Sequence, residues 1–256
     1  MIVGIIPARY ASTRLPGKPL IEIDGKPMIL HTYDSAMQSS FLQRVIVATD
    51  DPKVYQVCKN HGAEVQMTPQ DIHTGSDRIA YVADQLFDAS IIVNIQGDEP
   101  FIPGIMIDQA IEPMIIEPFV EVTTLTKKIT QQEELISPDV VKVVFDLQNF
   151  ALYFSRSVVP FVRNAKSVSD SLKYDCYYKH IGLYVYKKEA LFRFTSLQQS
   201  ELEKIEKLEQ LRMLEHGMKI KVVETEYESI SVDTPEDLKL ARKYYRSLMR
   251  KNATQS

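Results

Sequence analysis

Short apolar runs alternate with helix-length amphipathic segments through the first half of the chain. Ile2–Ile6, Val45–Ala48, Ile91–Ile95 and Val140–Phe145 are continuous and rich in Val and Ile, the character of strands covered on both faces. Between them, about Met28–Ser39, Pro52–His61, Ser76–Phe87 and Pro103–Ile116 read as helices. The alternation predicts an α/β fold, a mostly parallel mixed sheet flanked by helices.

The second half is more mixed. Val140–Asp146, Gln148-Asn149 and Ala151–Ser155 read as a hairpin, which predicts an antiparallel sub-region. Residues 163–176 lack periodicity and read as a mobile loop. Ser200 and Glu203 form a capping-box pattern ahead of a stripe of Leu202, Ile205, Leu208 and Leu211, with Gly217 as the stop. Glu206, Glu209 and Gln210 fall on one polar face of that helix. Thr234-Pro235-Glu236-Asp237 opens a last helix that runs to about Met249. No linker divides the chain, so a single domain over 1–256 is expected, with a distinct sub-region at about 140–215.

Composition narrows the function classes. The 256 residues carry 30 Lys and Arg against 34 Asp and Glu, a net charge of -4 that argues against a dedicated nucleic-acid binder. Two cysteines, Cys58 and Cys176, make no disulfide framework and fit a reducing, cytoplasmic setting. No apolar run reaches the roughly 20 residues of a membrane span, so neither nucleic acid nor membrane is an expected partner.

Three segments could carry chemistry. The loop after the first strand, Pro7 to Pro19, holds Arg9, Arg14 and Lys18 and no acid. It should emerge at the carboxyl edge of the sheet, where open α/β folds bind ligands, and Arg and Lys there suit phosphate oxygens. A solvated loop that happens to be basic is the alternative. It is neither a Walker A nor a GxGxxG pattern. Asn94-Ile95-Gln96-Gly97-Asp98-Glu99-Pro100 ends an apolar strand in two acids; Asp98 is placed to hold Mg²⁺, with Gly97 giving backbone freedom, or simply starts a turn. Asp233 precedes the cap of the last helix. Spacing alone cannot bring Asp98 and Asp233 together, yet two carboxylates and a basic loop suit metal-assisted transfer at phosphorus. A single His180 is more often structural than catalytic.

Taken in order, IIPARYASTRLPGKPL, ATDD, HTGSDR, NIQGDEP, YFSRSVVPF, KHIGLY, LEQLR and VDTPEDL resemble the motif series of the 3-deoxy-manno-octulosonate (Kdo) cytidylyltransferases, over nearly the whole chain. Ser76 and Asp77 stand where that family more often has Thr and Glu. The resemblance implies a fold of the nucleotide-diphospho-sugar transferase type. It implies a homodimer with Mg²⁺ as cofactor, and activation of Kdo by CTP for lipopolysaccharide assembly in the cytoplasm. By the same resemblance, Arg9, Arg14 and Lys18 are phosphate and transition-state cations. Pro7 and Ala8 with Gly75, Ser76 and Arg78 surround cytosine and ribose. Asp98 and Asp233 hold Mg²⁺. Gln96, Arg156, His180, Tyr184, Glu209 and Gln210 line the sugar pocket, with Arg156 facing the Kdo carboxylate. A related acceptor such as 8-amino-Kdo is the alternative substrate.

Overall fold

A computed structural model describes residues 1–10 and 15–255, with side chains up to residue 250. The chain divides into two compact units, Met1–Asp108 with Glu228–Ser256, and Gln109–Tyr227.

The first unit begins with β1 (Ile2–Ala8), whose residues are almost all buried. A small ribbon of β2 (Glu22–Ile23) and β3 (Lys26–Pro27) leads into α1 (Met28–Ala36). This helix stops before the expected Ser39, because Ser39 turns the chain: its hydroxyl accepts from the amides of Phe41 and Leu42. Next come β4 (Arg44–Thr49), α2 (Pro52–His61), β5 (Glu64–Met67), α3 (Gly75–Asp84) and β6 (Ile91–Asn94), and the chain leaves the unit within α4 (Gly104–Ile116). Helix α2 has the expected bounds because both ends are written locally. Asp51 accepts from the amides of Lys53 and Val54 at 2.7 and 3.1 Å, and Gly62 closes the helix at φ 82°.

Strand β1 is central. It pairs in parallel with β4 (Ile5↔Ile46) and with β6 (Ile5↔Asn94), and β4 pairs in parallel with β5 (Val47↔Val65). The chain moves outward from β1 through β4 to β5, then crosses back to β6 on the other side of β1. The carboxyl ends of β1 and β6 therefore flank the switch point, where open α/β sheets bind ligands.

The second unit holds β7 (Val122–Lys128), α5 (Gln132–Ile136), β8 (Lys142–Phe145), β9 (Ala151–Ser155), α6 (Val168–Ser171), β10 (Tyr178–Lys187), α7 (Lys188–Ser196), α8 (Glu201–Glu206), α9 (Gln210–Glu215) and β11 (Lys221–Glu224). The expected hairpin is present as β8–β9 (Val143↔Phe154). Strand β7 pairs antiparallel with β10 and parallel with β11. Together the two units carry the parallel and the antiparallel parts expected of the fold.

Two expectations for this unit are corrected. Residues 163–176 are not wholly a loop. Ser167 caps α6 by accepting from the Asp170 amide at 3.1 Å, and Leu172 packs against the buried cluster of Ile129, Leu135 and Tyr177. The helix expected from Ser200 to Gly217 is two helices. The capping box forms as expected, but Lys207 turns left-handed at φ 56° and separates α8 from α9. A buried ion pair is the reason. Arg212 donates Nε and Nη2 to the two carboxylate oxygens of Glu203, at 2.8 and 2.6 Å. On one straight helix these residues would stand roughly 13 Å apart along the axis, so the chain must fold back. Leu208 and Leu211 are buried by that turn, while Leu202 and Ile205 stay exposed. Glu206, Glu209 and Gln210 accordingly do not share one helix face.

The chain then returns to the first unit through α10 (Pro235–Gln255), which continues past the expected Met249. Ala241 of α10 joins Leu15, Ile23, Met28, Phe101 and Val232 in a buried cluster, with Leu238 and Tyr245 packed against it.

Candidate functional site

The first unit gathers its chemistry at the switch point. Gly97 lies directly over β1: a Cβ there would stand 2.8 Å from the Pro7 carbonyl oxygen. Close approach, and not backbone freedom, is what requires glycine here. The turn that follows carries Asp98, whose carbonyl accepts from the Val232 amide at 2.9 Å. That bond brings the last segment of the chain alongside. Asp233 follows immediately, with its amide held by the Asp237 carboxylate at 3.1 Å. The same carboxylate accepts from the Thr234 amide at 2.9 Å, and the Thr234 hydroxyl accepts from the Asp237 amide at 3.2 Å, a reciprocal cap that leaves the Asp233 side chain to point elsewhere.

Both carboxylates reach Lys18. Its ammonium donates to Asp98 Oδ2 at 2.6 Å and to Asp233 Oδ1 at 2.7 Å, with the lysine mostly buried. Lys18 is set by Gly17, which turns left-handed at φ 66° ahead of a short 3₁₀ turn; any side chain at Gly17 would also crowd the Tyr10 ring. Thus the two acids that spacing could not relate share one cation from the basic loop. Among the described residues no three His, Cys, Asp or Glu side chains form a metal-holding group. Glu99, next to Asp98, is a different kind of acid. Burial pushes its carboxyl up to about 7, the Asp98 charge adds to this, and the Ser229 hydroxyl donates to it at 2.9 Å.

Beside this centre, Thr74 caps α3 by accepting from the Asp77 amide at 3.0 Å. The helix begins at Gly75, where an added Cβ would just reach the Pro7 ring, and Ser76 is buried. Arg9 donates to the His73 carbonyl. Arg78 is fully buried. Its guanidinium donates to Asp50 Oδ2 at 2.9 Å, to the Ile72 carbonyl at 3.1 Å, and to the Thr68 hydroxyl. Desolvation lowers its pKa, against the Asp50 charge. It therefore ties the ends of β4 and β5 to the loop that precedes α3. Gln96 donates to Asn94 Oδ1 at 3.4 Å. Arg14 lies outside the described residues.

The second unit holds its polar residues differently. The register of β10 against β7 shifts between Ile181 and Tyr184, so a bulge re-aims the side chains on either side of it. His180 Nε2 is 2.9 Å from the Thr124 hydroxyl, and its ring meets Phe154 edge-on at 5.0 Å and Tyr184 at 5.4 Å. Burial pushes the His180 pKa down to about 3, so the imidazole is neutral at physiological pH. The Tyr184 phenol is raised well above its ordinary value by burial, with the Tyr186 and Glu209 charges adding to it. Gln210 is buried at the start of α9, one residue after Glu209. Arg156 is braced by backbone: its Nε donates to the Glu206 carbonyl at 2.7 Å and its Nη1 to the Pro138 carbonyl at 2.9 Å. The Glu206 carboxylate in turn accepts from the Ser155 hydroxyl at 2.7 Å and the Arg156 amide at 2.9 Å.

Residues 3–220 match the family model described as cytidylyltransferase. A 3-deoxy-manno-octulosonate cytidylyltransferase of Pelobacter propionicus is 49% identical over 255 residues, 98% of this chain and 99% of that protein. The chain belongs to the 3-deoxy-manno-octulosonate cytidylyltransferase family. A relative of the same name from Geobacter sulfurreducens is 49% identical over 241 residues, 93% of this chain and 96% of that one. Among solved structures, CMP:2-keto-3-deoxy-manno-octonic acid synthetase complexed with CTP superposes with a TM-score of 0.88 at 39% identity, covering 98% of this chain and 99% of that one. The 4-diphosphocytidyl-2C-methyl-D-erythritol synthase of Anaerococcus prevotii, at 14% identity and a TM-score of 0.63 over 96% and 98% of the two chains, shares the fold.

Against the residues that the family motifs single out, the structure adds four supports. Asp50 and Thr68 anchor Arg78, Thr124 orients His180, and Glu206 holds the turn at Arg156. Asp50 lies inside the quoted ATDD motif and Glu206 on the capped helix, so both carried a sequence signal. Thr68 and Thr124 carried none.

Proposed function

We propose that the chain transfers CMP from CTP to the anomeric hydroxyl of Kdo, giving CMP-Kdo and pyrophosphate. The observation that carries this reading is the convergence of Asp98 and Asp233 on Lys18 at the switch point of the parallel sheet, in a chain whose relatives bear that activity in their names. The cytoplasm, lipopolysaccharide assembly and a homodimer belong to the same proposal.

The donor set fits Mg²⁺. Two carboxylates already share a cation, and Mg²⁺ binds through one or two carboxylates while keeping its other positions for water and substrate phosphate. Asp98 and Asp233 would hold the ion, which would supply positive charge toward the phosphate oxygens and the attacking hydroxyl. Lys18, with Arg9 and Arg14, offsets charge on the phosphate chain. Arg78 acts from behind, holding the loop of Ile72 and His73 against which Arg9 is braced. In the second unit, Arg156 pairs with the acceptor carboxylate, while neutral His180, Tyr184, Glu209 and Gln210 take sugar hydroxyls; Gln96, in the first unit, is assigned to the sugar by the family motif alone. The anomeric oxygen attacks the α-phosphorus in line, the bond to the β-phosphate oxygen breaks, pyrophosphate leaves and the hydroxyl proton passes to solvent. No covalent enzyme intermediate forms and no dedicated general base is assigned.

Incubation with CTP, Mg²⁺ and each of Kdo, 8-amino-Kdo and sialic acid tests the reading. Mass spectrometry should find CMP-Kdo with matching pyrophosphate. A folded chain that makes only the 8-amino product, or none, refutes it.

A further inference from the structure

Helix α10 carries a second charge pattern that nucleotide transfer does not use. From Lys239 to Arg250 it has five cations, Lys239, Arg242, Lys243, Arg246 and Arg250, and no acid. At 3.6 residues per turn they fall within an arc of about 100°, and with Ser247 they line one open groove of about 630 Å³. The opposite face, with Leu238, Ala241 and Tyr245, is packed into the first unit. The helix is fixed in that orientation by Arg242, which donates to the Glu22 carbonyl at 2.8 Å, and by Arg246, whose Nε and Nη2 donate to Asp24 at 2.9 Å. Lys239 and Lys243 are exposed and make no ion pair with a described residue. The acids nearby are Asp24, engaged by Arg246, exposed Glu22, whose carbonyl Arg242 holds, and Glu236 and the capping Asp237 in the turn before Lys239.

Helix-dipole stabilisation explains cations only in a last turn, whereas Lys239 and Lys243 lie in the first half of this 21-residue helix. The stripe is flanked by exposed Leu240, Tyr244 and Met249. Cations in a line along a rigid helix, bordered by apolar side chains, match an anionic lipid surface, which offers a sheet of phosphates with acyl chains beneath. A nucleic acid would bring its whole polyanionic length against a chain of net charge -4.

We propose that α10 docks the protein peripherally on bilayers rich in anionic phospholipid. This concerns surface attachment and requires no spanning segment; among the described residues no helix is long and apolar enough to cross a membrane. The test is flotation of the full chain with phosphatidylcholine vesicles containing about one-third phosphatidylglycerol, against pure phosphatidylcholine, at low and high salt. The chain should float with the anionic vesicles only, and high salt should release it. The K239Q/K243Q/R250Q variant should lose partitioning on the order of 100-fold, with unchanged circular dichroism and unchanged turnover of CTP. Failure to float at low salt, equal flotation of the variant, or retention on duplex DNA without vesicle binding overturns the proposal.

Discussion

The two units hold polar groups by opposite means. In the first, Lys18, Asp98 and Asp233 satisfy one another at hydrogen-bond distance in a partly exposed turn. In the second, half-buried His180 and buried Tyr184 pack among aromatic rings, and desolvation disfavours the charged form of both. Ions that must be exchanged for other ions are best left near water, where the cost of parting them is modest. Groups that must present hydrogen bonds of fixed direction are best buried, packed and uncharged. Under the proposed function, the first arrangement suits a triphosphate and the second a polyhydroxylated acid.

Substitutions can break that contrast one side at a time. The largest effect is expected from Asp98→Asn, which should lower turnover by about a thousandfold or more and leave the unfolding midpoint nearly unchanged, since Lys18 keeps Asp233. Pyrophosphate release and thermal unfolding read the two quantities, and turnover near the starting rate would remove Asp98 from the site. Arg78→Met should cost about 3 kcal/mol in urea unfolding, because Asp50 is left buried without its partner. A loss below about 1 kcal/mol would mean that Arg78 does not brace the loop. Arg156→Ala should reduce kcat/KM for Kdo by about a hundredfold with little change in KM for CTP. Equal effects on both substrates would sink its assignment to the acceptor.

Titration separates the units as well. The folded chain resists protonating His180 until about pH 3, while the unfolded chain binds that proton near 6.5. Unfolded chains therefore hold more protons in this window, and stability from this group, complete above pH 6.5, falls as the pH drops through it. Urea midpoints across that range should fall less steeply in His180→Gln. A parallel slope would show the imidazole to be accessible in the folded state. The smallest expected change is in Lys207→Gly, which relieves a left-handed backbone and should stabilise by about 0.5–1 kcal/mol in the same assay. A destabilised variant would show that the Lys207 side chain has a packing role.

How much of this was legible from the chain depended on distance along it. Helix α2 is written by Asp51, Pro52 and Gly62, all local, and strands β1, β4 and β6 by runs of Val and Ile that survive almost any surroundings. The split between α8 and α9 was invisible because Leu202, Ile205, Leu208 and Leu211 satisfy a helical stripe whether or not the chain folds back. What decides it is the Glu203–Arg212 pair, a tertiary contact. The site divided in the same way. Residue types and motif order pointed to Asp98, Asp233 and Lys18, but their convergence rests on a bond from the Val232 amide to the Asp98 carbonyl. The brace on Arg9 is a backbone carbonyl, which has no sequence signature at all.

The first unit is made from both ends of the chain, with Gln109–Tyr227 set between them. During synthesis β1 to β6 can pair early, since their partners lie within the first hundred residues. Asp233 and the α10 face that seals Phe101 and Met28 emerge only after Gln109–Tyr227. A nascent chain, or one cut short before Glu228, would carry the basic loop and a single acid without its partner. Closure of this later segment onto the Asp98 turn is thus the folding step that brings the two acids together on Lys18.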